Sequence, residues 1–426
     1  MRALMCASVL LLLITTGSAV AQTGNLESDL KADGKGNPTD SKAQAIEQWK
    51  TFTQNLEQAG IKILEGTNTR DEIDIARANL YLAQQLTNAV TSVMDEHRLD
   101  IPVLRIGATT INKWGLDAAD AKYLGAPIDP EGTYRLHGAL GNAQVISIQS
   151  IYSGSTFKAF DSADQSKLMP NAQGEFELLI TRSKPDDWQG AFLALAPESN
   201  RLVIREYFGD WEREYPSTFM LERVDDTERP AEPDIEQSGQ LLQEMAHQFA
   251  QRAPFWNGWV QNSRAKLKNT LRTLRGNNQG LSNNVYGDGW FDIDDDEALL
   301  IELSAPEAQL WSFQLGNIWW ESIDYVSGLG SINSFQAKAD PDGIYRLVIA
   351  KTDPGLVNWL DTAGRNEGSI MYRYQNTKTA PEPSARLVKL SELSAILPAS
   401  TAKASHADRE AAIQIRKNHV QRRWSP

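Results

Sequence analysis

One cysteine in 426 residues, five histidines and a single long apolar run are what this sequence has least of. Each shortage closes a class of chemistry. The cysteine, Cys6, lies in the opening segment MRALMCASVLLLLITTGSAVAQ. There Arg2, an apolar run from Ala3 to about Ile14 and Ala19-Val20-Ala21 make the pattern of a secretory signal peptide cut after Ala21. Cys6 stands ahead of the apolar stretch, the wrong order for a lipid-modified cysteine, and the run is shorter than the roughly 20 residues a spanning helix needs. A periplasmic or secreted chain with no transmembrane segment after cleavage is expected. It would carry no thiol, and so no disulfide, no cysteine nucleophile and no thiolate-bound metal.

The histidines stand at 97, 137, 247, 406 and 419, and no pair has metal-ligand spacing on one local element. His97, His137 and His247 read as structural, and neither a metal nor another cofactor is implied. GxSxG, HExxH, P-loop and GxGxxG motifs are all missing; "GLGSIN" fails the last of them at its final position. The formal charge of −13 repels phosphate backbones and argues against nucleic acid as a partner. Two basic stretches run against that charge. "RAKLKNTLRTLR" sets Leu267, Leu271 and Leu274 at helical spacing, and the tail beyond Lys403 is also basic. Both are expected to be solvated, one as a helix face and one as a tail.

What is present is periodicity. After a polar leader, Ile46, Trp49, Phe52, Leu56 and Ile63 recur at helical steps, and so do Ile73, Ala76, Leu80, Ala83, Leu86, Val90 and Val93. From Ile101 the pattern turns to short β-type runs punctuated by Gly, Pro, Asn and Asp, which favours antiparallel strands. Residues 235–249 read as helix, and strands return after Ala298. The predicted division is signal peptide 1–21, flexible leader 22–41, N-terminal helices 42–100, first β-sandwich unit 101–226, linker and helices 227–284, second β-sandwich unit 285–376, and linker, short helix and basic tail 377–426.

Helix followed by strands, twice over, points to duplication. At an offset of 165, "AQVISIQ" (143–149) lies over "AQLWSFQ" (308–314); at 169, "GEFELLITRS" (174–183) lies over "GIYRLVIAKT" (343–352), with Trp188 near Trp359. "DPEGTYRL" and "DPDGIYRL" match at an offset of 211, outside that alignment, and read as a recurrent hairpin turn. The expected fold is α+β, predominantly antiparallel β: duplicated jelly-roll-like sandwich units with flanking helices.

The stretches "KWGLDAADAKYLGAPIDPEGTYRLHG", "LVIREYFGDWEREYPSTFMLERV", "NIWWES" and "DPDGIYRLVIAKTDPGLVNWLDTAG" resemble bacterial proteins carrying the domain of unknown function twelve-fourteen, over roughly residues 113–374. That resemblance implies a jelly-roll β-sandwich, as in proteins that pair this domain with domain twelve-fifty-four. It transfers no catalytic residue.

The run "DGWFDIDDDEALLIE" alternates acids, yet Glu297 stands where an EF-hand loop needs Gly and Leu303 where it needs Glu. A turn between strands is the better reading. Twelve tryptophans carry the remaining signal, because flat rings cover the apolar faces of ligands. Alternation in "AQLWSFQLGNIWWESIDY" puts Trp311, Phe313 and Leu315 on a core face. The adjacent Trp319 and Trp320 would point to opposite faces, so one core cannot readily bury both. The candidate ligand-binding residues are thus Trp319, Trp320, Glu321, Asp324, Trp359 and Asp361, with Glu321, Asp324, Asp353 and Asp361 the carboxylates to inspect for acid-base work. Three functions remain open at this point. The first is a binding or structural protein with an aromatic-lined groove for an apolar or carbohydrate ligand. The others are a carboxylate-dependent hydrolase or lyase in the same groove, and a jelly-roll assembly protein forming homo-oligomers.

Overall fold

The structure, a computed structural model, describes residues 38–154, 157–225, 228, 230–274 and 283–424. The signal peptide with Cys6, and the leader up to residue 37, lie outside them. Pro38–Ala43 form the first turns of helix α1 (Pro38–Glu65), so the helix begins inside the predicted leader, with proline in the first turn where it is tolerated. Everything below concerns the compact unit Gln44–Pro426.

Nine strands build the first sandwich. Its five-stranded sheet has the order β1 (Arg105–Ile106), β2 (Ala121–Pro127), β8 (Arg201–Tyr207), β4 (Val145–Ser153), β5 (Phe157–Asp164). Its four-stranded sheet runs β7 (Ala191–Ala194), β6 (Glu175–Thr181), β3 (Tyr134–Ala139), β9 (Met220–Arg223). The second sandwich repeats both orders nine strands on. One sheet is β10 (Thr270–Leu274), β11 (Val285–Asp292), β17 (Glu367–Thr377), β13 (Ala308–Gly316), β14 (Ser331–Asn333). The other is β16 (Trp359–Asp361), β15 (Ile344–Ala350), β12 (Glu297–Ser304), β18 (Ser384–Lys389). Even the exceptional parallel pairs correspond, β6 with β7 and β15 with β16. The two sequence offsets fall on β4/β13 and β6/β15, and the acidic run is the turn from β11 to β12.

Each sandwich is filled from both of its sheets. Ile148, Leu202 and Ile204 meet Leu136, Leu178 and Leu193 in the first; Trp311, Phe313 and Leu315 meet Leu299, Ile301 and Leu347 in the second. The alternation read along β13 therefore holds. The opposite face of β13 is buried as well, because the two five-stranded sheets abut: Leu310 packs with Ala121, Val145 and Tyr207. Gln314 accepts from the Ala119 N–H (2.9 Å) and donates to the Asp117 carbonyl (2.6 Å).

Helix α3 (Ile235–Lys266) opens with a capping box between Asp234 and Gln237 and packs on α2 (Glu72–Glu96). Residues 270–274, expected at helical spacing, are instead strand β10. Asn269 takes φ +51°, a conformation asparagine tolerates, and its backbone N–H donates to the Trp290 carbonyl, turning the chain onto the sheet edge. The helices also depart from their predicted faces. In α1, Phe52 and Ile63 are buried while Ile46 and Trp49 are exposed; in α2, Val93 is buried but Ile73, Ala76, Leu80 and Ala83 face out.

The basic tail is the largest departure. It forms α5 (His406–Trp424), and Arg409, Arg416, His419 and Arg423 are buried. Arg423 lies at the joint between the sandwiches, 0% exposed, donating to the Ala119 (2.6 Å) and Ala121 (3.3 Å) carbonyls and lying 4.9 Å over the Trp211 ring. Arg416 donates to the Tyr325 (3.0 Å) and Ser331 (2.7 Å) carbonyls of the second sandwich. His419 stacks on Trp211 at 5.2 Å. Burial, and then the charges of Arg423 and Arg422, push its pKa down to about 2, so it is a neutral ring at ordinary pH. Asp120 accepts from Asn333 (2.7 Å) and from the Trp211 indole (3.1 Å) at the same joint.

Candidate functional site

Strand β13 ends at Gly316, and the alternation that separated Trp319 from Trp320 ends with it. A side chain at Gly316 would collide with Leu116, 2.4 Å from its Cδ1. The chain then turns. The Asn317 side-chain oxygen accepts from the N–H groups of Trp319 (3.0 Å) and Glu321 (2.9 Å), and Trp320 adopts φ +54°. Both rings thereby enter one helix-covered core. Trp319 stacks on Tyr81 at 5.0 Å and donates its indole N–H to the Asp74 carbonyl (2.8 Å). Trp320 stacks on Trp259 (5.4 Å) and meets the edge of Trp256 (4.9 Å). Trp319, Trp320 and Glu321, expected to line a ligand groove, are instead buried and bind the helices to the sandwich.

Glu321 is 0% exposed and bidentate with Arg77, at 2.6 Å from Nε and 3.2 Å from Nη2. Beside it Ser322 donates from its hydroxyl to Asp117 (2.9 Å), and Lys113 donates to the Ser322 carbonyl (2.6 Å). Burial pushes the Asp117 pKa up to about 6 against the opposing pull of Lys113 and Ser322. Glu321, Asp117, Lys113 and Ser322 are buried and mutually satisfied, and Arg77 is the partly exposed member of the group.

The other candidates scatter. Asp324 is exposed and accepts from the N–H groups of Val326 and Ser327. Trp359 is half-buried on β16, donates to the Ala350 carbonyl (3.0 Å) and lies under the Arg409 guanidinium at 5.2 Å. Arg409 is itself paired with Asp353 at 3.0 Å. Asp361 accepts from the Ala363 N–H (2.8 Å), and its pKa is raised by burial above all, with Asp353 and Asp324 adding their charge. Asp324, Asp353 and Asp361 thus share one field, while Glu321 belongs to the interior. Among the described residues no three His, Cys, Asp or Glu form a metal-binding group, and no helix is long and apolar enough to cross a membrane.

A surface depression lies on the first sandwich, away from all six expected residues. Leu168, Met169, Phe176, Trp188, Gly190 and Ala191 line its volume of about 460 Å³, with Asn171, Glu175 and Glu177 supplying its polar groups. The parallel β6–β7 pairing requires a crossover, and Trp188 sits where that crossover enters β7. Its indole donates to the Ala191 carbonyl (2.9 Å) and lies against Gly190, where a Cβ would stand 2.9 Å from Cζ2. Asn171 donates to Glu175 (2.8 Å) and so holds the rim. The only sequence signal for this place was Trp188 as the repeat partner of Trp359. A second depression of about 520 Å³, lined by Arg70, Asp294, Asp295, Asp296, Lys351 and Asn366, is occupied by its own ion pairs, Arg70 with Asp294 (3.3 Å) and Lys351 with Asp295 (2.6 Å).

The fold has a solved counterpart. An uncharacterised protein from Burkholderia cenocepacia superposes with a TM-score of 0.75 at 26% identity, covering 82% of this chain and 99% of its own. A match of that extent takes in both sandwiches. A protein from Vibrio parahaemolyticus aligns at 11% identity with a TM-score of 0.39, over 72% of this chain and 100% of that one. No family model and no curated protein matches the chain.

Proposed function

We propose that this is an exported binding protein of the family with the domain of unknown function twelve-fourteen, and that its ligand is a carbohydrate held in the Trp188 groove. The observation that carries the reading is the indole laid on Gly190 in an open depression, with an amide and two carboxylates at its edge. A sugar ring offers an apolar face to the indole and hydroxyls to Asn171, Glu175 and Glu177. The net charge of −13 favours neutral glycans over polyanionic ones. Titration with neutral oligosaccharides should quench tryptophan fluorescence, and Trp188→Ala should abolish the change. A broad glycan panel that leaves fluorescence and melting temperature untouched would remove the reading.

A second reading rests on one further fact: Glu175 and Glu177 both line the groove. Two residues apart on β6, they are spaced by about 7 Å of strand, within the range for inverting glycoside hydrolysis. Release of reducing sugar from a bound glycan, lost in Glu177→Gln with binding retained, would favour hydrolysis. Export is tested by sequencing the N-terminus of the protein recovered outside the cytoplasm, where Gln22 is the expected first residue.

A further inference from the structure

Duplication places the same three side chains on both walls of the joint. Tyr123, Arg205 and Ser147, directly opposed across neighbouring strands, form a row over β2, β8 and β4. Tyr286, Arg373 and Ser312 form its equivalent over β11, β17 and β13. Directly opposed residues share one face of a sheet, and here it is the face on which the two five-stranded sheets abut. A glutamine from the adjoining strand steadies each arginine, Gln149 for Arg205 and Gln314 (3.3 Å) for Arg373, which also donates to the Leu116 carbonyl (3.0 Å). The guanidinium groups converge. Burial raises the pKa of the Tyr123 and Tyr207 hydroxyls, and at each ring the charges of both Arg205 and Arg373 pull against it.

Two cations brought together in this way repel, and among the described residues no carboxylate pairs with either. The nearby acids are engaged elsewhere. Asp164, opposite Ser147 on β5, accepts from Ser166 and Lys167, and Asp288, two residues beyond Tyr286, pairs with Arg272 (2.6 Å). Asp120 is held by Asn333, Trp211 and Ser312. Ser147, the equivalent of Ser312, is 0% exposed, and its hydroxyl has no hydrogen-bond partner. A buried donor left unpaired beside two uncompensated cations calls for an acceptor of negative charge. We propose that this seam is an anion site, taking one small tetrahedral oxyanion of the phosphate type between Arg205 and Arg373, with the Ser147 and Tyr123 hydroxyls as further donors. A dianion neutralises both guanidinium groups, whose planar forks match its oxygens. Tyr123, Arg205 and Tyr286 are half-buried, so the ion enters at the sheet edge, and Arg373 is the buried floor. The site is separate from the Trp188 groove and does not depend on it.

The test is calorimetric titration of the purified protein with inorganic phosphate, against sodium chloride of equal ionic strength, alongside Arg205→Gln and Tyr123→Phe. Phosphate should bind with a Kd on the order of 1 mM or tighter and raise the melting temperature, chloride should not, and Arg205→Gln should weaken binding at least about tenfold. Without phosphate that variant should melt at or above the parent, because it removes one of two repelling charges; with phosphate the order should reverse. Glycerol phosphate, tried in parallel, separates the sources: if it competes with phosphate the ligand is an ester, if it does not the ligand is the free ion, and the site stands in either case. No heat and no change in melting beyond chloride up to about 10 mM phosphate overturns the inference. So does phosphate binding that both variants keep in full, which would make it an adventitious ion only. An Arg205→Gln variant destabilised equally with and without phosphate would make Arg205 a packing residue and likewise overturn the site.

Discussion

The two sandwiches share their strand order and differ in what covers their four-stranded sheets. In the second, Ala298, Leu300, Val348 and Val388 make the outer face apolar, and Leu356, Leu393 and Leu397 cover it. In the first, Arg135 faces Glu177 (3.8 Å) and His137 faces Glu222 (3.5 Å) on an outer face left to water. The aligned outward positions show the change at the strand ends, where Glu175 and Thr181 in β6 correspond to Ile344 and Ala350 in β15, while Glu177 and Arg346 are charged in both copies. Trp188 and Trp359 enter equivalent parallel strands, yet Trp359 is roofed by Arg409 of α5 while Trp188 borders an open groove. Duplication kept the scaffold, and covering one copy turned its tryptophan into packing.

The sharpest way to break this comparison is at the joint. Arg423→Ala removes a buried cation beside Asp120 and should cost about 3–5 kcal/mol in chemical denaturation. Less sharply, pH should act through His419. Its folded pKa is depressed to about 2, so the unfolded chain takes up a proton below about 6.5 while the folded chain does not. Stability is lost as pH falls through that window, by about 2 kcal/mol at pH 5, and His419→Gln should flatten the curve relative to the parent. Asp117 acts oppositely, because its raised pKa favours the folded state as pH falls from about 6 towards 3.8. The variant-minus-parent difference, followed by urea denaturation at each pH, isolates the histidine.

Trp359→Ala should cost about 2 kcal/mol, discounted for half-burial, against less than about 1 kcal/mol for Trp188→Ala. Equal losses in thermal melts would mean that the two rings are packed alike. The smallest effect is expected from Gly190→Ala. Its methyl displaces the indole, lowering glycan affinity about fivefold, as read by fluorescence titration, with melting nearly unchanged.

Duplication and the core side of Trp311 and Phe313 were readable in the sequence, because each depends on local periodicity. The two Asp-Pro-acid-Gly segments do turn, closed by the Gly132 N–H to the Asp129 carbonyl and the Gly343 N–H to the Asp340 carbonyl, but each joins strands of different sheets instead of a hairpin. What eluded reading depended on where periodicity stops and on what lies opposite. Trp319 and Trp320 would lie on two faces only of a strand that continues, and β13 ends at Gly316. Leu267, Leu271 and Leu274 keep a helical interval by coincidence across a helix end and a strand. The outward stripe of α2 has the pattern of a core face, since apolar spacing names a side without saying whether anything covers it. Arginines 409, 416 and 423 carry the opposite error. Guanidinium groups belong in water unless carbonyls and aromatic faces receive them, and those receivers come from residues far away in sequence.

Arg423 and the carbonyl of Ala119 that it grips are 304 residues apart in the chain. During synthesis both sandwiches emerge before α5 exists, so each must reach its own topology first and the joint can close only afterwards. A chain interrupted before that helix would leave Asp120 and the Phe208 and Trp211 rings without the Arg423 guanidinium that covers them.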